Sequence, residues 1–387
     1  MSARFDLQDF LPRHIRKMLH VKNKSESQKR KGAFNVLDLD KNESAWGTVG
    51  TDADYSRYPD TDATILKKEL SEYLNISTKK ILFGNGSDEL IDLVMRIFAQ
   101  QGKDHMLAFA PFEKRISHFA ALNGLILDEM PLNEAFQFSI FQAKHHINEQ
   151  TKILYMANPN PISGVALRGL DLIDMIDDFK GIVIVDESNI GYNTQNSLIE
   201  YIDSYPNLII IQSFSNVWGM AGLRLGALFA SAEIIDVINC IRAPFNVNSA
   251  AQEIAAKALR LPEQRDRIVS ETIAAREKLS NRLLDFRFVQ EIYNSDSNYI
   301  LVKVDKPKQF ISYLEEERIF VYDASELAGC HGCVRISVGN EEQNQRLIKT
   351  LKEMSSKTAP VRVLIRKIGQ TLQRASVFFG IFKKIIG

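Results

Sequence analysis

Short apolar runs alternate with amphipathic stretches from about residue 60 to residue 280. The runs 80–84, 106–110, 125–132, 152–157, 181–186, 207–213 and 225–230 predict strands. Apolar residues three and four apart predict helices between most of them, for instance over 88–100, 114–123 and 167–179. Strands apolar on both faces, alternating with helices, predict a mostly parallel sheet covered on both sides. Ligands of such sheets bind beyond the carboxyl ends of the strands. Three polar motifs fall at those ends: Gly84-Asn85-Gly86-Ser87-Asp88, Asp186-Glu187 and Ser213-Phe214-Ser215.

From about Ala250 a long helical pattern leads into a second arrangement. Here 298–304 and 334–338 predict strands, with helices over 308–316 and 341–353. The expected fold class is therefore α/β. A large domain over 60–280 holds a mostly parallel seven-stranded sheet, and 33–59 with 281–354 make a small α+β domain. Residues 1–32 are a basic N-terminal extension and linker, and 355–387 a basic amphipathic tail. A chain of 387 residues is long enough to bury two such lobes. No apolar run reaches the ~18 residues that span a bilayer. The first thirty residues are charged and lack a secretory apolar core. With three cysteines and no disulfide spacing, the expectation is a cytoplasmic protein, peripheral at a membrane if its tail binds one.

The formal net charge of zero hides a segregation. Residues 1–31 carry nine Lys/Arg against three acids, and 354–387 carry seven against none, so the body between them is acidic. In the tail, apolar Val361, Leu364, Ile365, Ile368, Leu372, Phe379 and Phe382 recur at helical steps among cations. Such a segment can lie in an anionic membrane interface or pack on a partner protein or the acidic body. Residues 6–19 carry a weaker pattern of the same kind. Neither end matches a nucleic-acid-binding module, so nucleic acid is the weakest candidate partner.

The glycine turn at 84–86 ends a strand and opens a helix. Backbone N–H groups at such a terminus bind phosphate, and the bland alternative is an ordinary capped turn. Asp186 ends an apolar strand, where it either meets a ligand or caps the next turn. Cys330-His331-Gly332-Cys333 offers too few ligands for a structural zinc site, and no metal is expected.

Asn42-Glu43, Arg57-Tyr58-Pro59-Asp60, Gly84-Asn85-Gly86-Ser87-Asp88-Glu89-Leu90, Asn158-Pro159-Asn160 and Val185-Asp186-Glu187 follow one another along the chain. After them come Ser213-Phe214-Ser215-Asn216 through Arg224-Leu225-Gly226, then Val334-Arg335-Ile336-Ser337-Val338-Gly339. In order and spacing these resemble histidinol-phosphate aminotransferases and their relatives among pyridoxal 5′-phosphate (PLP) enzymes of fold type I. The resemblance covers roughly residues 36–354. It implies a phosphate cup of Ser87, Asp88, Ser213, Ser215 and Arg224, with Asp186 facing the pyridine nitrogen. It implies that Tyr58 reaches the cofactor phosphate of a neighbouring subunit in a homodimer. Asn42 and Arg335 fall at substrate-binding positions, for an amine or amino acid.

Departures from the family pattern cluster at the cofactor ring. Asn216 stands at the Schiff-base lysine, and an amide neither condenses with an aldehyde nor serves as a base at neutral pH. Arg115 falls where the family usually stacks an aromatic residue on the ring, and Asn189 where a tyrosine bonds the ring hydroxyl. Asn160 reaches the ring-contacting asparagine position only with a one-residue shift. Tyr322 replaces a second phosphate-binding arginine of histidinol-phosphate enzymes. The expectation is a catalytically impaired homologue that binds PLP non-covalently, or a phosphorylated amine or aminated cofactor. Two other readings stay open: an active aminotransferase with a non-standard base, and a variant whose lysine was exchanged for asparagine.

Overall fold

Seven strands build the central sheet: β1 (Ile81–Asn85), β2 (His105–Ala110), β3 (Ile126–Pro131), β4 (Thr151–Ala157), β5 (Ile182–Asp186), β6 (Leu208–Ser213) and β7 (Leu225–Phe229). The structure is a computed structural model that describes residues 5–20, 37, 39–192 and 197–357. The strand order is β1-β7-β6-β5-β4-β2-β3. β5 shows why each run reads as continuous apolar sequence. Ile182 and Ile184 enter the core on one face, Val183 and Val185 the core on the other, and all four are fully buried. Helices Gly86–Phe98, Lys114–Leu122 and Gly169–Asp178 cover the sheet near their predicted positions.

One strand departs from the parallel expectation. β7 runs antiparallel to both neighbours, β1 and β6. A parallel return needs a crossover, usually a helix. Residues 214–224 supply only a short 3-10 turn at Ala221–Leu223, so the chain doubles back. That doubling-back places Ser213 opposite Gly226 at one edge of the candidate site.

The small lobe is an antiparallel sheet of order β10-β11-β9-β8. β9 (Tyr299–Val304) and β11 (Cys333–Ser337) match the predicted runs. The edge strands β8 (Val289–Ile292) and β10 (Tyr322–Asp323) are too short and too exposed to leave a pattern. Helices Pro307–Glu316 and Glu341–Lys357 close its core, which draws on residues 279–354 and on no described residue of 33–59. Among the described residues, no helix is long and apolar enough to cross a membrane.

The N-terminal extension is not a free arm. Leu7, Leu11 and Ile15 are buried at 6%, 2% and 2% exposure, in the same cluster as Ile234 and Ile238 of helix Ala232–Ile241. The apolar face of residues 6–19 thus docks on the large lobe, which corrects the idea that it resembles a membrane-facing segment. Segments 22–32 and 360–387 lie outside the described residues.

Glu187 follows β5 and ties the next loop to the sheet. It is 1% exposed. Its carboxylate accepts from Leu198 N at 2.8 Å, Ser197 Oγ at 2.5 Å and Gln212 Nε2 at 2.9 Å. Burial outweighs these bonds and pushes its pKa from 4.5 up to about 7.

Two outcomes follow for stability. The proton on Glu187 binds the folded state more tightly, so its contribution is complete below pH 4.5 and lost as pH rises through about 7. Unfolding free energies from denaturant titration should fall across that window by an amount on the order of 3 kcal/mol, and Glu187→Gln should flatten the fall. Leu11→Ala should cost about 3 kcal/mol in urea unfolding. A cost near zero would mean that the N-terminal helix does not pack in solution.

Candidate active site

β1 passes directly into helix Gly86–Phe98, so the first helical N–H groups open at the carboxyl edge of the sheet. Two glycines let other groups approach this terminus. Gly86 has φ of 76°, and a Cβ there would lie 2.8 Å from Arg224 Nη2. A Cβ on Gly226 would lie 2.5 Å from the Gly86 carbonyl carbon. β7 and the Arg224 guanidinium therefore sit against the turn. Arg224 itself holds a left-handed backbone (φ 52°), a conformation that costs a non-glycine residue about 1 kcal/mol or more. Its Nη2 donates to Asp88 Oδ2 at 3.1 Å. Ser213 Oγ accepts from Ser215 N at 3.0 Å. β7 thus brings Arg224 and, opposite Gly226, Ser213 to the terminus that carries Ser87 and Asp88, with Ser215 bonded to Ser213. N–H groups, hydroxyls and a half-exposed guanidinium suit a phosphate.

Deeper in, Asp186 ends β5 and is 4% exposed. Its Oδ1 accepts from Ser188 N at 2.9 Å. Its Oδ2 accepts from Tyr155 Oη at 2.8 Å and Arg115 Nη2 at 3.3 Å. Arg115 is fixed on three further sides. Nε donates to Glu113 at 2.7 Å, and Nη1 to Ser87 Oγ at 3.3 Å and to Asp88 Oδ1. Burial works against the guanidinium charge, but Asp186, Tyr155, Glu113 and Asp88 outweigh it and hold its pKa above the ordinary arginine value. Burial, reinforced by Asp186, likewise drives the Tyr155 hydroxyl well above the usual phenol range. Removing one partner from so buried a pair typically costs about 3–5 kcal/mol.

The departures from the family pattern contact one another or the retained residues. Asn216 Nδ2 donates to Asn189 Oδ1 at 2.7 Å. Tyr322 is the cross-strand partner of Arg335, whose guanidinium carbon lies 4.4 Å from its ring centre and 5.1 Å from that of Tyr299. These are cation–π distances. Arg335 also donates to the Pro161 carbonyl and lies 3.7 Å from Glu113. Asn160 is consumed by its own turn: its Oδ1 accepts from Ile162 N, Ser163 N and Ser163 Oγ, and its Nδ2 donates to Pro111 O. Two polar atoms beside Asp186, Asn158 Nδ2 and Ser188 Oγ, are buried without a partner among the described residues.

Two predicted residues stand apart from this cluster. Tyr58 is 55% exposed and stacks on Phe245 at 4.8 Å, with its N–H on Glu43. Asn42 is exposed, with φ of 55°, and among the described residues it bonds none of the cluster. The same arm exposes Trp46 at 96% and Val49 at 99%. The cysteines of the Cys330–Cys333 motif are fully buried, and burial pushes the Cys330 thiol up to about 12.

Three contacts escaped sequence reasoning. Tyr155 interrupts an apolar strand with a hydroxyl, and that was the available signal. Glu113 lies two residues from Arg115 and bridges it to Arg335. Tyr299 carries no local signal: the pairing of β9 with β11 sets it beneath Arg335, and the docking of the two lobes brings its hydroxyl onto the Asn160 carbonyl at 2.8 Å. Together these groups can hold an anion. The amide at 216 can neither condense with a carbonyl nor take up a proton at neutral pH.

Known proteins share this fold. The family model of aminotransferase class I and II matches residues 31–351. The histidinol-phosphate aminotransferase of Cytophaga hutchinsonii is 37% identical over 322 residues, covering 83% of this chain and 92% of the relative. That of Christiangramia forsetii is 35% identical over 328 residues, covering 85% and 92%. The fold superposes on histidinol-phosphate aminotransferase from Clostridium acetobutylicum with a TM-score of 0.73, at 21% identity over 78% of this chain and 92% of that one. The Sinorhizobium meliloti enzyme, solved in complex with pyridoxal-5′-phosphate, also gives 0.73, at 19% identity over 93% and 99%. The seven-stranded sheet, its carboxyl-edge site and this similarity together place the chain in the class I and II aminotransferases, a PLP-dependent family of fold type I, as a histidinol-phosphate aminotransferase-like member.

Proposed function

We propose that this chain is a family member impaired in amino-group transfer. It holds a phosphorylated amine, an aminated cofactor or PLP without a covalent bond, and works as a homodimer. The observation that carries this is Asn216, whose amide is bonded to Asn189 at 2.7 Å where the family pattern has a lysine and a tyrosine. The residues suit the phosphate end of the cofactor: a helix terminus, Ser213, Ser215 and Arg224 offer donors. They do not suit its aldehyde end or its ring nitrogen. Position 216 offers no amine, and the Asp186 carboxylate already holds Arg115. Loss of a general base alone costs ~10²–10⁴ in rate.

What supports a dimer is the exposed arm. Trp46, Val49 and Tyr58 are large apolar groups that a monomer leaves in water, and a partner subunit would cover them. The cationic amphipathic pattern of 360–387 supports attachment to an anionic membrane surface.

Incubation with PLP, borohydride reduction and digestion should yield no pyridoxyl-lysine peptide; such a peptide would sink the proposal. Asn216→Lys alone should restore no transamination above background, because Arg115 and Asn189 remain. Recovery of amino-group transfer by that single change would show that the site is otherwise competent. The full chain should co-sediment with vesicles of phosphatidylserine and phosphatidylcholine and lose this on deletion of 360–387. Binding that survives the deletion would rule that segment out as the anchor.

A further inference from the structure

We propose that Arg115 takes the place of a ligand's ring cation at Asp186, so that the site gives phosphomonoesters that carry a pyridine ring no advantage over those that do not. This rests on the phosphate site proposed above and narrows it: of the candidate ligands, those built on a pyridine ring lose the pairing that Asp186 would otherwise offer.

Asp186 is almost wholly out of water, and a desolvated carboxylate requires a partner charge or several hydrogen bonds. It already has both from the chain itself: Ser188 N on one oxygen, Tyr155 Oη and Arg115 Nη2 on the other. Arg115 is not free to swing away, because Glu113, Ser87 and Asp88 hold its remaining nitrogens. From the interior outward the charges alternate as Asp186, Arg115, Asp88 and Arg224. A pyridinium entering at Asp186 would put a second desolvated cation on a carboxylate already paired with one. A phosphate arriving at Arg224 meets the Asp88 carboxylate, but at a partly exposed site where water screens the two anions. Arg224 is about half exposed and bonds Asp88 at the outer end of the chain of charges. The phosphate end and the ring end of the site therefore make opposite demands, and only the phosphate end is open to an incoming group.

Two probes that differ by one ring atom separate these ends: benzyl phosphate and 3-pyridylmethyl phosphate, with inorganic phosphate as the reference. Calorimetric titration near pH 6 should find the two esters within about threefold of one another on the native protein. On Arg115→Gln the pyridine ester should gain at least tenfold over the benzyl ester, each measured relative to inorganic phosphate on the same protein. Arg115→Lys, which keeps a cation, should behave as the native protein does. Adding Asp186→Asn to Arg115→Gln should abolish the gain. Arg115→Met serves as a second neutral variant should the glutamine protein fail to fold. A native protein that prefers the pyridine ester tenfold, or a ratio unchanged in both neutral variants, overturns the inference while leaving the phosphate site standing. Inorganic phosphate that binds neither protein sinks the phosphate site and the inference with it.

Discussion

The inner strands of the central sheet are dry on both faces, and that constraint governs where the polar groups of the site can lie. A strand packed between two apolar layers has no room for an unpaired charge along its length. Side-chain chemistry is thus pushed to the ends of the strands, where backbone polarity also emerges. Asp186 closes β5, Ser213 closes β6, and the helix after β1 opens at the same edge. The antiparallel return of β7 brings Arg224 and Gly226 to that edge as well. The site is where a buried sheet lets its polar groups out.

Within that edge, the buried carboxylate of Asp186 sets the terms. A desolvated carboxylate requires a partner charge or several hydrogen bonds, and Arg115, Tyr155 and Ser188 supply both from the chain. Arg115 therefore partners a buried carboxylate that would otherwise lack a cation. Asn216 and Asn189 are neutral groups in contact, the amide of Asn216 donating to that of Asn189. Tyr322 lies under the guanidinium of Arg335.

Much of the fold was legible because its signals are local. Each predicted large-lobe strand lies within a residue or two of its observed limits, since a doubly buried strand must be apolar throughout. β8 and β10 escaped because short edge strands bury little. The direction of β7 was not legible either: strand direction depends on what the connection allows, and an apolar run reads the same both ways. The N-terminal pattern misled for a related reason. An apolar helical face demands burial, but nothing in its sequence says whether lipid or protein supplies it, and here Leu7, Leu11 and Ile15 found protein.

The sequence by itself determined the alternation of elements, the motifs at the strand ends and the absence of a lysine at position 216. These follow from periodicity and residue chemistry along a single stretch of chain. Only the tertiary structure decided what each departing residue touches: Arg115 reaching Asp186 and Asp88, Asn216 meeting Asn189, and Glu113 joining two arginines. Arg115 and Asp186 are far apart in sequence and meet only because β5 and the helix after β2 end at the same edge. A charge's partner is set by distance in space and by exclusion of water. Neither is written in the order of the residues.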